Sequence, residues 1–147
     1  IPVWEEIDPF KKIDLESNIN KSGITVFKSL LFPTYFKTRV YDIETLFACK
    51  IVAILQRNWR TRVKGRDYFD FLYYMSKNIK PNYEYLKNAL KIELNLTNES
   101  LKEMLKKKFE EIDFKSALND VIPFMPTNSR FKECFKKEIF LDILESL

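Results

Sequence analysis

The spacing of hydrophobic and polar positions changes near the end of the first forty residues, and this divides the chain into two predicted parts. Short β-leaning runs at 11–16 and 24–32 are separated by turn-forming residues at 17–23, which predicts two strands and favours a hairpin. Farther along, apolar residues recur every three or four positions, as in amphipathic helices. We therefore predict strands within residues 1–40 and helices throughout residues 41–147.

Capping residues and turn formers divide the second part into about six helices. Asp42 is expected to cap a first helix that runs to about Asn58. The later helices are expected to begin at Gly65 or Arg66, at Pro81 and Asn82, at the capping-box pair Ser100 and Glu103, at Asp113, and at Asn128 or Ser129. The last is expected to bury a stripe of Phe131, Phe135, Ile139 and Ile143. The predicted fold class is α+β and predominantly helical, with short N-terminal strands before the helices.

The composition excludes several classes of enzyme site. The 147 residues contain no histidine, which excludes Ser-His-Asp and Cys-His catalysis and histidine-ligated metals in this chain. Only Gly23 and Gly65 are glycines, so a glycine-rich phosphate loop is excluded as well. With 46% hydrophobic residues, the chain is long and apolar enough to bury the core of one domain.

Charge, cysteine content and hydropathy restrict the partners and the cellular compartment that are expected for the chain. Twenty-five basic against 21 acidic residues give a net charge of +4, which is compatible with an anionic partner. Cys49 and Cys134 are far apart and lack a metal-binding spacing, so both are expected to be small core residues in a reducing cytoplasm. No apolar run approaches the 18 residues of a membrane span, so no membrane partner is expected.

Lys50 stands on the apolar side of the first predicted helix. It follows Phe47 by three positions and precedes Ile54 by four, and both spacings align side chains on one helix face. A lysine there must send its ammonium to solvent or meet an anion such as a carboxylate or a phosphate. The first outcome is structural, whereas the second points to a binding site.

A basic segment follows this helix. Five cations lie within ten residues that contain no acidic side chain: Arg57, Arg60, Arg62, Lys64 and Arg66. The segment is either a solvated loop or a phosphate-binding loop, because arginine can grip phosphate oxygens through two hydrogen bonds. Trp59 and Tyr68 flank or interrupt the segment and are candidates for stacking on a base.

Asp67 and Asp70 are three positions apart at the start of the second predicted helix, and therefore share a face. They could simply complement the helix dipole. The residues around them are apolar nearly all round, however, so this helix is expected to be largely buried and its carboxylates to need partners. We therefore predict that Lys50 meets Asp67 or Asp70 across the two helices.

Together these residues resemble the C-terminal half of AbiEii-type nucleotidyltransferases, the toxins of abortive-infection and toxin–antitoxin systems. Residues 46–53 (LFACKIVA) are similar to the third motif of that family, a lysine within an apolar helix. Residues 64–70 (KGRDYFD) are similar to the fourth motif, RxKDxxD. The resemblance covers roughly residues 10–80.

The resemblance implies part of a DNA-polymerase-β-like nucleotidyltransferase fold, in which residues 1–40 end the α/β core and residues 41–147 form the helical portion. It implies that Lys50 contacts nucleotide phosphates, that Asp67 is a catalytic or orienting acid and that Asp70 is its companion. Substrate contacts are expected from the basic segment, with Lys64 and Arg66 standing where the family usually has arginine and lysine, respectively.

The implied reaction is Mg²⁺-dependent transfer of a nucleoside monophosphate from an NTP to an RNA end, such as that of a tRNA, or to a protein hydroxyl. A cognate antitoxin is the implied protein partner. The first motif of the family, a Gly-Ser loop followed by D-x-D, is missing from this sequence. Because the sequence begins with Ile1, we expect the metal loop to lie upstream and this chain alone to be inactive. The alternatives are a non-catalytic module that binds phosphate or nucleic acid, and a helical module that docks an antitoxin.

Overall fold

The computed structural model describes residues 22–57 and 63–147. Within these ranges the elements are β1 (Thr25–Leu30), β2 (Phe36–Tyr41), α1 (Ile43–Gln56), α2 (Gly65–Ser76), α3 (Tyr83–Ala89), α4 (Asn98–Glu111), α5 (Phe114–Val121) and α6 (Lys137–Leu144). Short 3₁₀ helices occupy Ile122–Phe124 and Arg130–Cys134. The predicted α+β, predominantly helical class is therefore confirmed. No helix within the described ranges is both long enough and apolar enough to cross a membrane.

The two strands form an antiparallel hairpin in which Thr25 lies opposite Tyr41 and Leu30 opposite Phe36. The predicted strand at 24–32 thus contains β1, whereas β2 was not predicted. The segment 36–41 lies within the part predicted to hold strands, but its polarity alternates only weakly, so no strand was assigned to it before the helical periodicity starts at residue 41. The other predicted strand, at 11–16, lies outside the described residues.

Buried Thr45 ties the hairpin to the helices. Its Oγ1 accepts hydrogen bonds from the backbone N–H of Ile24, at 3.2 Å, and from the side-chain amide of Asn82, at 3.0 Å. The same amide of Asn82 also donates to the carbonyl of Ser22, at 2.8 Å. Because a two-stranded hairpin is marginally stable in isolation, this junction of hairpin, α1 and α3 contributes to holding the strands in place.

Replacing Thr45 by valine is expected to lower the free energy of unfolding by about 2 kcal/mol, because it leaves two donors without their shared acceptor at a fully buried position. Urea denaturation of the variant measures this loss. Thr127→Val is the matched control, since Thr127 is exposed. Equal stability of the two variants would show that the junction at Thr45 contributes little.

Most helix starts follow the predicted caps. The Asp42 carboxylate accepts from the N–H of Thr45 at 2.9 Å, and Asn82 and Asp113 cap α3 and α5 in the same manner. The fourth helix differs, because Thr97 and Ser100 form a reciprocal capping box and α4 begins at Asn98. The predicted pair of Ser100 and Glu103 was therefore wrong, since an earlier hydroxyl residue is the cap.

The last predicted helix is broken in two. Ser129 caps the 3₁₀ helix Arg130–Cys134 as expected, but α6 begins only at Lys137. The break shifts the helical phase, so the core receives Phe135, Phe140 and Leu144. Of the predicted stripe, Phe135 is buried and Phe131 and Ile143 pack partly buried against the core. Ile139 is 36% exposed, so the predicted stripe was wrong at that position.

Aromatic rings form the centre of the core. The side chains of Phe47, Tyr68, Phe71, Phe109 and Phe140 are fully buried and come from α1, α2, α4 and α6. Their contacting ring centroids lie 5.3–6.3 Å apart, mostly in tilted or edge-on arrangements. The packing of these rings fixes α1 beside α2, which is the arrangement on which the site depends.

Cys49 and Cys134 form no disulfide and are both only partly buried.

The start of α2 crosses α5 in very close contact. A Cβ atom on Gly65 would lie 1.9 Å from the carbonyl oxygen of Ala117 and 2.6 Å from a methyl group of Val121. The backbone N–H of Gly65 also donates to the Asp120 carboxylate at 3.0 Å. Glycine is therefore required here by space, and α5 satisfies one of the donors that a helix start leaves unpaired.

Candidate active site

An ion-pair cluster joins α1 to α2. The Lys50 ammonium nitrogen lies 2.7 Å from Oδ2 of Asp70 and 3.3 Å from Oδ1 of Asp67. Both contacts cross between the helices, so the contact predicted between Lys50 and the paired aspartates is confirmed. Lys50 thus meets anions, and a purely solvent-directed lysine is excluded, although its side chain is still 35% exposed.

Asp67 is the most buried member of the cluster, with a side chain that is only 7% exposed. Its Oδ1 faces Lys50, and its Oδ2 is paired with a guanidinium nitrogen of Arg57, the residue that follows α1. A buried carboxylate is costly unless its oxygens are paired. Here both oxygens have a cationic partner, and Asp67 consequently fixes the positions of two positive groups.

The protonation of Lys50 follows from the same contacts. Partial burial by itself would lower the pKa of its ammonium group. The hydrogen bond and charge of Asp70, together with those of Asp67, outweigh this effect and raise the pKa of Lys50 above its ordinary value. Lys50 therefore carries its full positive charge throughout the neutral pH range.

A cavity of about 510 Å³ opens beside this cluster. The charged residues that line it are Lys50, Arg57, Lys64, Arg66, Asp67 and Asp70. These four cations and two carboxylates give the wall a net charge of +2. The volume lies within the range of small-molecule sites. A pocket with this lining is suited to an anion larger than a single phosphate.

The structure places three members of the basic segment at this cavity, namely Arg57, Lys64 and Arg66. Arg60, Arg62 and Trp59 lie outside the described residues. Tyr68 is fully buried among Phe109, Phe114 and Phe140, so the suggestion that it stacks on a base was wrong. Tyr68 lies on the core face of α2, whereas Arg66, two positions earlier, lies on the exposed face.

Helix α2 is largely buried, as expected from its sequence. Asp67 and Phe71 are among its buried residues, and of its twelve residues only Arg66, Tyr73 and Ser76 form an exposed strip. The exposed strip matters because it lets Arg66 reach the cavity from the same turn that buries Asp67.

Sequence reasoning missed the apolar side of the cavity, which is formed by Phe69, Val121, Phe124 and Met125. It also missed Asp120, the partner of the Gly65 N–H. Phe124 and Met125 stand between Pro123 and Pro126, but nothing in the sequence distinguishes them from apolar residues of the core.

The described residues do not fit a Mg²⁺ site. Among residues 22–57 and 63–147, no group of three or more Asp, Glu, Cys or His side chains is arranged to hold a metal. The oxygens of Asp67 already face two cations, which leaves them poorly suited to a divalent ion. What these residues can do is bind and position an anion. The roles predicted for Lys50, Asp67 and Asp70 in a reaction remain predictions.

Comparison with known proteins identifies a matching family. A family model described as "Nucleotidyl transferase AbiEii toxin, Type IV TA system" matches residues 4–137. The match extends well beyond residues 10–80, the part of the chain whose motifs carry the resemblance. No curated protein and no solved structure gives a significant match.

Proposed function

The chain belongs to the AbiEii family of nucleotidyl transferase toxins, whose family model matches most of its length, and we propose on this ground that the cavity beside Lys50 binds the phosphates of a nucleoside triphosphate. In this proposal the protein transfers the nucleoside monophosphate to a hydroxyl group of an acceptor. The acceptor is an RNA end, such as that of a tRNA, or a protein hydroxyl.

One observation carries the proposal: residues from two helices and the segment between them bring four cations to a single cavity. A solvated basic loop would spread its charges over the surface. Here Lys50 comes from the middle of α1, Arg57 from just beyond its end, and Arg66 from the first turn of α2. Nucleotide phosphates are the anions that best match such a concentration of positive charge.

The reaction gives each group a role. The acceptor hydroxyl attacks the α-phosphorus, its proton passes to a base, and the bond to the oxygen bridging the α- and β-phosphorus atoms breaks, which releases pyrophosphate. Negative charge grows on the leaving pyrophosphate, and positive groups fixed in advance stabilise that charge without reorganising. Lys50 and Arg66 are the proposed phosphate contacts. Asp67 and Asp70 are proposed to orient Lys50 instead of contacting a metal.

Mg²⁺ is expected for this reaction, but the described residues do not fit such an ion, because the oxygens of Asp67 already face Lys50 and Arg57. A cognate antitoxin is the proposed protein partner, because the matching family model is described as a type IV toxin–antitoxin system.

Radiolabelled nucleotides test the proposed reaction with the full-length protein. Incubation with a cellular RNA and protein mixture is expected to transfer label from the α-phosphate of an NTP, and none from the γ-phosphate. Transfer of γ-label would contradict the proposal and indicate a kinase. Binding of NTP with no transfer under any Mg²⁺ condition would favour a non-catalytic phosphate-binding module.

A further inference from the structure

The cavity has an apolar wall that the phosphate-binding proposal does not use. Val121, Phe124 and Met125 form this wall together with Phe69 of α2, and Lys50, Lys64 and Arg66 belong to its charged counterpart. Phosphates gain nothing from apolar lining. A ligand that matches both walls must therefore be anionic at one end and apolar or aromatic at the other.

Phe124 is the most exposed residue of this wall, with 69% of its surface accessible. The guanidinium carbon of Arg66 lies 5.3 Å from the centre of its ring, within the range of a cation–π contact. Most of the ring surface remains accessible. The ring is consequently held from one side by a cation of the phosphate wall and is open to a flat ligand.

The backbone around Phe124 is fixed in place. The residue ends the 3₁₀ helix Ile122–Phe124, which is closed by a hydrogen bond from the N–H of Met125 to the carbonyl of Ile122 at 3.1 Å. This turn directly follows α5, which is pressed against the start of α2 at Gly65. An exposed aromatic ring on a rigid support is suited to stacking, because little conformational entropy is lost on binding.

We propose that Phe124 is the stacking platform for the nucleobase of the nucleotide whose phosphates lie at Lys50. This inference rests on the proposed function, which supplies the phosphate position. All nucleobases have a π face, and loss of one stacked aromatic side chain weakens binding roughly tenfold. The platform contributes affinity for every nucleobase and more for purines, whose two rings overlap the phenyl group more extensively.

Titration calorimetry with two ligands tests the platform. Phe124→Ala is expected to weaken binding of ATP roughly tenfold and to leave binding of inorganic triphosphate unchanged, whereas Phe124→Trp keeps the affinity for ATP. The matched control is Phe27→Ala. Phe27 is also exposed, lies 5.0 Å from the guanidinium of Arg39 and is absent from the cavity lining. Unchanged ATP binding by Phe124→Ala, or an equal loss for triphosphate, would overturn the inference.

Two further arms separate this inference from the function on which it rests. Lys50→Met is expected to weaken both ATP and triphosphate; if it weakens neither, the proposed phosphate site fails, whatever Phe124 does. The second arm replaces the nucleotide with a short RNA oligonucleotide. If Phe124→Ala weakens RNA binding but not ATP binding, the ring stacks on a base of the acceptor, and the assignment to the nucleotide is overturned.

Discussion

Replacing Lys50 by methionine is expected to lower the rate of nucleotide transfer by roughly a hundredfold to a thousandfold. This is the loss typical when one preorganised group that stabilises developing negative charge is removed. Methionine keeps much of the side-chain volume and removes only the charge and its hydrogen bonds. The measurement is transfer of α-phosphate label by the full-length protein at saturating NTP.

The variant should still fold, since Asp67 keeps its ion pair with Arg57 and Asp70 is partly exposed. Thermal denaturation checks this point. Lys107→Met is the matched control, because Lys107 is an exposed lysine of α4 outside the cavity lining. If a folded Lys50→Met protein transferred nucleotide at the rate of the control, Lys50 would have no part in the reaction.

Replacing Gly65 by alanine is expected to cost roughly 2–4 kcal/mol of unfolding free energy. Two effects oppose each other at this position. Alanine favours a helix by up to about 1 kcal/mol relative to glycine. Its Cβ, however, would lie 1.9 Å from the carbonyl oxygen of Ala117, a backbone atom that moves only if α5 moves. The clash is the larger effect because relief requires the separation of two packed helices.

Urea denaturation of Gly65→Ala and Gly23→Ala gives a matched comparison. The three atoms nearest to a Cβ on Gly23 all belong to the Tyr41 side chain, the nearest at 2.7 Å, and a side chain can rotate away. Gly23→Ala should therefore lose far less stability. A loss below about 1 kcal/mol for Gly65→Ala would mean that the contact between α2 and α5 yields easily. If the folded Gly65→Ala protein bound ATP more weakly, the contact between α2 and α5 would also be needed to shape the cavity.

Most helix starts were predictable from local capping chemistry, and the ion-pair cluster from the need of poorly solvated charges for partners. Asp42 caps its helix through residues three positions away, and helical spacing places Asp67 and Asp70 on one face. An apolar helix containing one lysine, followed by a helix with paired carboxylates, leaves few ways to satisfy the charges. The packing of α1 against α2 then decides which of these charges meet.

The apolar wall was not predictable in the same way. Phe124 resembles any core phenylalanine in the sequence, and its exposure depends on the turn that ends α5 and on where α5 meets α2. The strand β2 was missed for a related reason. Its six residues alternate weakly, and only pairing with β1 distinguishes them from the lead-in to a helix. Long-range packing decides both outcomes.

The hydrogen-bond capacity of the cluster indicates how a ligand can enter it. An ammonium group has three N–H donors, and within the described part of the chain Asp67 and Asp70 engage two of those of Lys50. One donor remains for an incoming oxygen. Lys50 can therefore accept a phosphate as a third partner while both carboxylates stay in place, so that binding and release of the anion leave the junction of α1 and α2 intact.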